Sequence, residues 1–155
     1  MFSSTFIILC IVLFTLFNIV SVFFFKETYG IQSISVPSVS IAWGILKNHG
    51  KYSLWWNHFA NLEEQDILYK IELKEKIDNN LLKFKYILDA ETYEVWTFFL
   101  KTKDDDTFLE VKKEFYSSSK TRAFKHKFVK NDRHIEQFFN NFKKAYKSID
   151  ETSYS

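Results

Sequence analysis

From Phe6 to Phe25 the chain runs without a charged side chain, and Asn18 and Ser21 are its only strongly polar positions. A run of this kind predicts a helix. Its length matches the roughly 20 residues that a hydrocarbon core of about 30 Å requires, and a lone spanning segment must be helical to satisfy its own amides. Residues 6–25 are therefore read as a single-pass transmembrane anchor, with a short link to residue 27. A cleaved signal peptide fits less well. Met1-Phe2-Ser3-Ser4-Thr5 has no basic residue, and Phe23-Phe24-Phe25-Lys26-Glu27 offers no small-residue cleavage site. Lys26, the one nearby basic residue, lies on the domain side and favours a cytoplasmic domain.

Beyond the run the pattern changes. Tyr29 to Val36 reads as a strand that stops at Pro37, which has no N–H for a ladder. Pro37-Ser38 opens a helix carrying Val39, Ala42, Trp43 and Leu46 at helical spacing, and Asn48-His49-Gly50 closes it. Tyr52 to Phe59 is short and aromatic and reads as a helical turn or a structured loop.

Period-two alternation follows. Ile67, Tyr69, Ile71 and Leu73 share one face of a strand. Leu82, Phe84, Tyr86 and Leu88 share a face of the next, after the turn signal Asp78-Asn79-Asn80. Tyr93 to Lys101 is apolar on both faces, as a central strand would be. Leu109, Val111 and Phe115 alternate with charged residues after the turn Asp104-Asp105-Asp106. A weaker strand is expected from Arg122 to Val129. The period then switches: Ile135, Phe138, Phe139, Phe142, Ala145, Tyr146 and Ile149 make one broad apolar face of a helix over residues 132–149.

The order of elements predicts an α+β domain over residues 28–150. A curved antiparallel sheet wraps one long C-terminal helix, and residues 151–155 form a frayed tail. About 128 residues outside the anchor suffice for one core. The overall charge of +2 excludes the strongly basic kind of nucleic-acid binder. Cys10, inside the apolar run, is the single cysteine, so the domain has no disulfide. Aromatics make up 19% of the chain, with 18 Phe. Phe, Lys, Ile, Asn and Tyr rise together, as AT-rich coding produces, so only the placement of the rings informs function.

Three segments carry a family likeness. Ile34-Ser35-Val36-Pro37-Ser38-Val39-Ser40-Ile41-Ala42-Trp43 is similar to a strand, a small residue with Pro, and a helix bearing an aromatic. Tyr52-Ser53-Leu54-Trp55-Trp56-Asn57 is similar to a Tyr-x-x-Trp-x-Asn/Pro signature. Phe98 to Val111, with Asp106-Thr107, is similar to a strand, turn, Thr, strand pattern. In this order they resemble the polyketide cyclase/dehydrase and lipid-transport branch of the START/Bet v 1-like (SRPBCC) superfamily, the helix-grip fold, in a layout like its membrane-anchored subgroup. The usual Ala-Pro is Val36-Pro37 here. The resemblance implies a cavity between sheet and C-terminal helix that holds a lipid-like or other hydrophobic ligand. Fold does not imply function, however, and members include carriers, cyclases and partner-binding modules.

The residues expected to line that cavity are Trp43, Trp55, Trp56, Tyr69, Phe84, Tyr86, Trp96, Phe98, Phe115, Phe138 and Phe142. Of the neighbouring pair, one of Trp55 and Trp56 is expected inside and the other at the mouth or surface. No catalytic constellation stands out. The histidines His49, His58, His126 and His134 lack zinc-site spacing, Asp104-Asp105-Asp106 lacks the partners of a calcium loop, and no cofactor is expected. Were the domain a cyclase or dehydratase, His58, His126, Tyr69, Tyr86 and Glu75 would be its available acid–base groups. The basic cluster Lys120, Arg122, Lys125, Lys127, Lys130 and Arg133 reads as a solvated face, with anionic headgroups as the alternative. A third reading is a filled-core interaction module at the membrane.

Overall fold

The computed structural model describes residues 4–23, 26–119, 121–122 and 132–152, with side-chain surroundings given for 4–16 and from residue 32 on. The elements are α1 (Ser4–Phe23), β1 (Lys26–Ser35), α2 (Val39–Lys47), a 3-10 helix (His49–Leu54), α3 (Asn57–Glu64), β2 (Lys70–Ile77), β3 (Leu81–Ile87), β4 (Thr92–Lys103), β5 (Asp106–Ser117) and α4 (Asp132–Thr152). The strands form one antiparallel sheet in the order β1-β5-β4-β3-β2. The last four make a meander, and β1, first in the chain, pairs with β5.

Turn chemistry explains the meander. Asp104 and Asp105 both have positive φ, 50° and 69°. A two-residue hairpin requires this twist, and Asp tolerates it better than most residues. The connection from β2 to β3 is three residues long, and Asn79, at φ 59°, is its one left-handed position. β4 is the central strand, as its two-faced apolar pattern predicts.

Helix ends are set locally. The Ser38 hydroxyl accepts from the Ile41 amide at 3.3 Å and caps α2. The Ser38 amide in turn donates to the Tyr146 hydroxyl of α4 at 2.8 Å. The Tyr52 hydroxyl donates to the Leu46 carbonyl at 2.6 Å, tying the 3-10 helix back onto α2. The aromatic segment after Asn48 thus resolves into that helix and α3. α4 buries Ile135, Phe138, Phe139 and Phe142 against the sheet. It also extends to Thr152, so Glu151 and Thr152 belong to the helix rather than to a frayed tail.

Several expectations change. α1 forms where the apolar run predicts a helix, and its described side chains are exposed. Among the described residues, however, no helix is long and apolar enough to cross a membrane. The single-pass membrane localisation read from the sequence is overturned by this finding. β1 begins at Lys26 rather than Tyr29. In β2 only Tyr69, just ahead of the strand, and Ile71 pack on the core. A bulge between Leu73 and Glu75 breaks the alternation, and Ile67 and Leu73 are exposed. The strand expected over 122–129 lies almost entirely outside the described residues, as do Lys120, Lys125, Lys127 and Lys130 of the basic cluster.

Candidate ligand-binding site

The inner face of the sheet follows from alternation. Leu82, Phe84 and Tyr86 of β3, Trp96, Phe98 and Leu100 of β4, and Leu109 and Val111 of β5 all point toward α4 and are buried. From the other side come Trp43 of α2, Tyr52, Trp56, Phe59 of α3, and Phe138 and Phe142 of α4. Trp43 aside, these rings touch in a continuous set. Trp56 lies 4.9 Å from Trp96, 4.9 Å from Phe59 and 4.8 Å from Phe138, each near edge-to-face. Phe138 packs 5.1 Å from Phe98 and stacks on Phe142 at 5.7 Å. These separations are the favourable ones for aromatic pairs.

Of the expected lining residues, Trp43, Trp56, Phe84, Tyr86, Trp96, Phe98, Phe138 and Phe142 join this core. Trp55 is half-buried and stacks on Trp56 at 5.7 Å; one indole is inside and its neighbour at the margin. Tyr69 is half-buried against Phe59 and donates its hydroxyl to Glu63 at 2.9 Å. Burial, with the Glu63 carboxylate behind it, raises that phenol to about 12. Phe115 is buried, but the contiguous core forms without it.

One end of the aromatic core is polar. Glu94 and Lys113 are inward residues of adjacent strands, Lys113 directly opposite Trp96, and each is almost wholly removed from water, with side-chain exposures of 6% and 0%. The Lys113 ammonium donates to the Glu94 carboxylate at 2.8 Å and lies 3.1 Å from Nδ1 of His134, in the first turn of α4. The second Glu94 oxygen accepts from the Trp96 indole N–H at 2.8 Å. Burial alone would push the Glu94 carboxyl up. The Lys113 charge and hydrogen bond, with the hydrogen bond from Trp96, outweigh it and hold the group below its ordinary range.

His58 and Tyr86 complete the cluster. The His58 ring lies 5.6 Å from that of His134 and 5.5 Å from that of Tyr86. Burial lowers the His58 pKa, Glu94 raises it and Lys113 lowers it again, which leaves a neutral imidazole at pH 7. Burial first, then the Glu94 charge, pushes the Tyr86 phenol well above its usual value. The His58 Nε2 atom and the Tyr86 hydroxyl are both shielded from water, and neither has a hydrogen-bond partner among the described residues.

The acid–base candidates named from sequence therefore divide. His58 and Tyr86 face this cluster, Tyr69 stands at its margin, Glu75 is exposed on the edge strand and cannot reach it, and His126 lies outside the described residues. Glu94, Lys113 and His134 were missed as members. The signal for Lys113 and Glu94 was present: Leu109, Val111 and Phe115 put Lys113 on the inner face, and Trp96 and Phe98 do the same for Glu94. Among the described residues no group of three or more His, Cys, Asp or Glu is arranged to hold a metal ion.

No protein-family model matches the chain, and no curated protein matches it. Solved structures do. DynU16, from the dynemicin biosynthetic locus, aligns with a TM-score of 0.50 at 13% identity over 83% of this chain and 48% of its own. A norcoclaurine synthase point mutant of Thalictrum flavum, solved with a transition-state analogue, aligns at 0.48 and 12% identity over 81% of this chain and 96% of its own. CalU16 of Micromonospora echinospora aligns at 0.40 and 9% identity over 84% and 99%. These neighbours have the Bet v 1/SRPBCC fold. At such identities the likeness concerns architecture alone: this chain has a helix-grip-like α+β fold, a five-stranded antiparallel sheet closed by a C-terminal helix.

Proposed function

We propose that the domain binds a hydrophobic small molecule between the sheet and α4, with the molecule's apolar body among the rings and its polar end at the Tyr86–His58 cluster. One observation carries this reading. The aromatic core ends on two buried polar atoms, the Tyr86 hydroxyl and His58 Nε2, that no described residue satisfies. Buried polar groups are almost always paired, and an orphan in this place suits a group arriving with a ligand. Around it, the rings are held to one another by dispersion and burial rather than by hydrogen bonds. Such packing can be exchanged for a ligand of similar character. Half-buried Trp55 marks the side of entry.

The test uses the full chain and the neutral fluorescent probe N-phenyl-1-naphthylamine. Saturable one-site binding, with quenching of tryptophan emission and loss of affinity in Trp56→Ala, is the expected result. Native mass spectrometry of the purified protein reads any molecule already carried. Unsaturable probe uptake and an empty mass spectrum would remove the reading.

A second reading, acid–base catalysis on the bound molecule, is favoured by the neutral His58 imidazole next to a phenol. A positioned base and acid within reach of one substrate atom is what such chemistry needs. If it holds, His58→Gln abolishes turnover of a screened substrate while probe affinity stays within about twofold, a split between binding and chemistry.

A further inference from the structure

Resting on the binding reading above, we infer that the polar end of the grip selects an uncharged oxygen function, a hydroxyl or ketone, on an otherwise apolar molecule, and discriminates against a carboxylate. The charge balance of the cluster argues for this. The Glu94 carboxylate has both oxygens engaged, one by Lys113 at 2.8 Å and one by the Trp96 indole at 2.8 Å. The Lys113 ammonium is spent on Glu94 and on His134. The one buried cation among the described residues therefore already has its counter-charge, and the pair is sealed beneath the rings of Trp96 and the first turn of α4.

A carboxylate entering this space would shed its water and meet no uncompensated buried positive charge among the described residues. It would instead lie near Glu94, whose field reaches both His58 and Tyr86. The two groups that do want a partner are neutral. A phenolic O–H donates one hydrogen bond, and a neutral imidazole nitrogen accepts or donates one according to its tautomer. A ligand hydroxyl can accept from Tyr86 and donate to His58; a ketone oxygen can accept from either. A hydrocarbon would leave both orphaned. Sites built to hydrogen-bond a ligand oxygen discriminate strongly against the analogue lacking it, because their own polar atoms are then left unpaired.

The experiment measures, at pH 7 on the full chain, displacement of N-phenyl-1-naphthylamine by four ligands sharing one ring system: 2-naphthol, 2-acetylnaphthalene, 2-ethylnaphthalene and 2-naphthoate. The naphthol and the ketone should bind at least tenfold more tightly than the hydrocarbon and the carboxylate. Tyr86→Phe should erase most of the naphthol's and ketone's advantage and leave 2-ethylnaphthalene affinity within about twofold. That unchanged hydrocarbon arm also certifies that the variant is folded. Naphthoate binding as tightly as naphthol would overturn the inference while leaving the binding reading intact. So would an advantage that persists in both Tyr86→Phe and His58→Leu. Failure of all four ligands and of the probe would instead remove the binding reading itself, and this inference with it.

Discussion

Lys113 reaches across from β5 to Glu94 on β4 at 2.8 Å, with neither side chain in contact with bulk water. Removing one partner of such a pair leaves the other charged and buried. Lys113→Met should destabilise the fold by about 3–5 kcal/mol. The double variant Glu94→Gln, Lys113→Met should recover most of that loss, since both charges are gone. Urea unfolding of the two singles and the double gives the coupling directly. Additive losses would mean that the pair is not coupled as its geometry requires.

Tyr86→Phe should leave stability within about 0.5 kcal/mol of wild type, or raise it, because the deleted hydroxyl has no described partner and its burial is otherwise unrewarded. Tyr52→Phe is the internal control. Its hydroxyl donates to the Leu46 carbonyl at 2.6 Å, and removing that buried bond should cost about 1–2 kcal/mol. Equal losses in the two variants would show that Tyr86 is hydrogen-bonded.

Phe138→Ala should cost about 3–5 kcal/mol. Phe138 is fully buried and packs on Trp55, Trp56, Trp96, Phe98, Phe139 and Phe142. A deletion there removes one ring's contact with six others. If the grip accepts ring-shaped ligands, 2-ethylnaphthalene should raise the unfolding midpoint of Phe138→Ala more than that of wild type, by refilling the space. A loss under about 1 kcal/mol would contradict the packing described for α4.

Acid should weaken the fold in two stages. Burial holds the His58 pKa below 6.5, so below about pH 6.5 the unfolded chain takes up the proton first. Stability then falls as pH drops toward the folded-state value. Glu94 has a depressed carboxyl. Its contribution is complete above the unfolded value of 4.5 and is lost as pH falls through the lower folded one. Urea midpoints between pH 7.5 and pH 5 should decline in wild type and decline less in His58→Gln. An identical slope in both would remove His58 from the effect.

The alternation Leu82, Phe84, Tyr86 and the two-faced run of β4 made the sheet legible, because a strand with one or two buried faces writes its period into the side chains. The C-terminal helix was legible for the same reason, through Ile135, Phe138, Phe139 and Phe142. β2 was less so. Its apolar residues continue past the bulge at Leu73/Glu75, beyond which Ile77 pairs with Leu81 on the outer face, and Leu73 and Ile77 are both exposed; a bulge leaves no period of its own. The polar end of the core was hidden by residue type. Lys113 and Glu94 occupy inward positions in their strands, but a charged residue in an apolar series reads as an interruption until its cross-strand partner is known. Which strands are neighbours is a fact of topology, outside any local window. The apolar run at the N-terminus gave the helix correctly and the membrane incorrectly.

The pairing of β1 with β5 sets the schedule on which this chain can fold. Lys26 faces Tyr116 and Ser35 faces Phe108, while Ser38 is held by Tyr146. Among the strands, a ribosome releases β1 first and its partner β5 last. At typical synthesis rates the strand waits on the order of ten seconds for β5 to be made. The meander β2–β5 can close hairpin by hairpin as it emerges, whereas β1 and α4 join only by long-range closure, the slow step in such topologies. Refolding should therefore be slow for a domain of this size, and the nascent chain has most need of a holding chaperone between the appearance of β1 and that of β5.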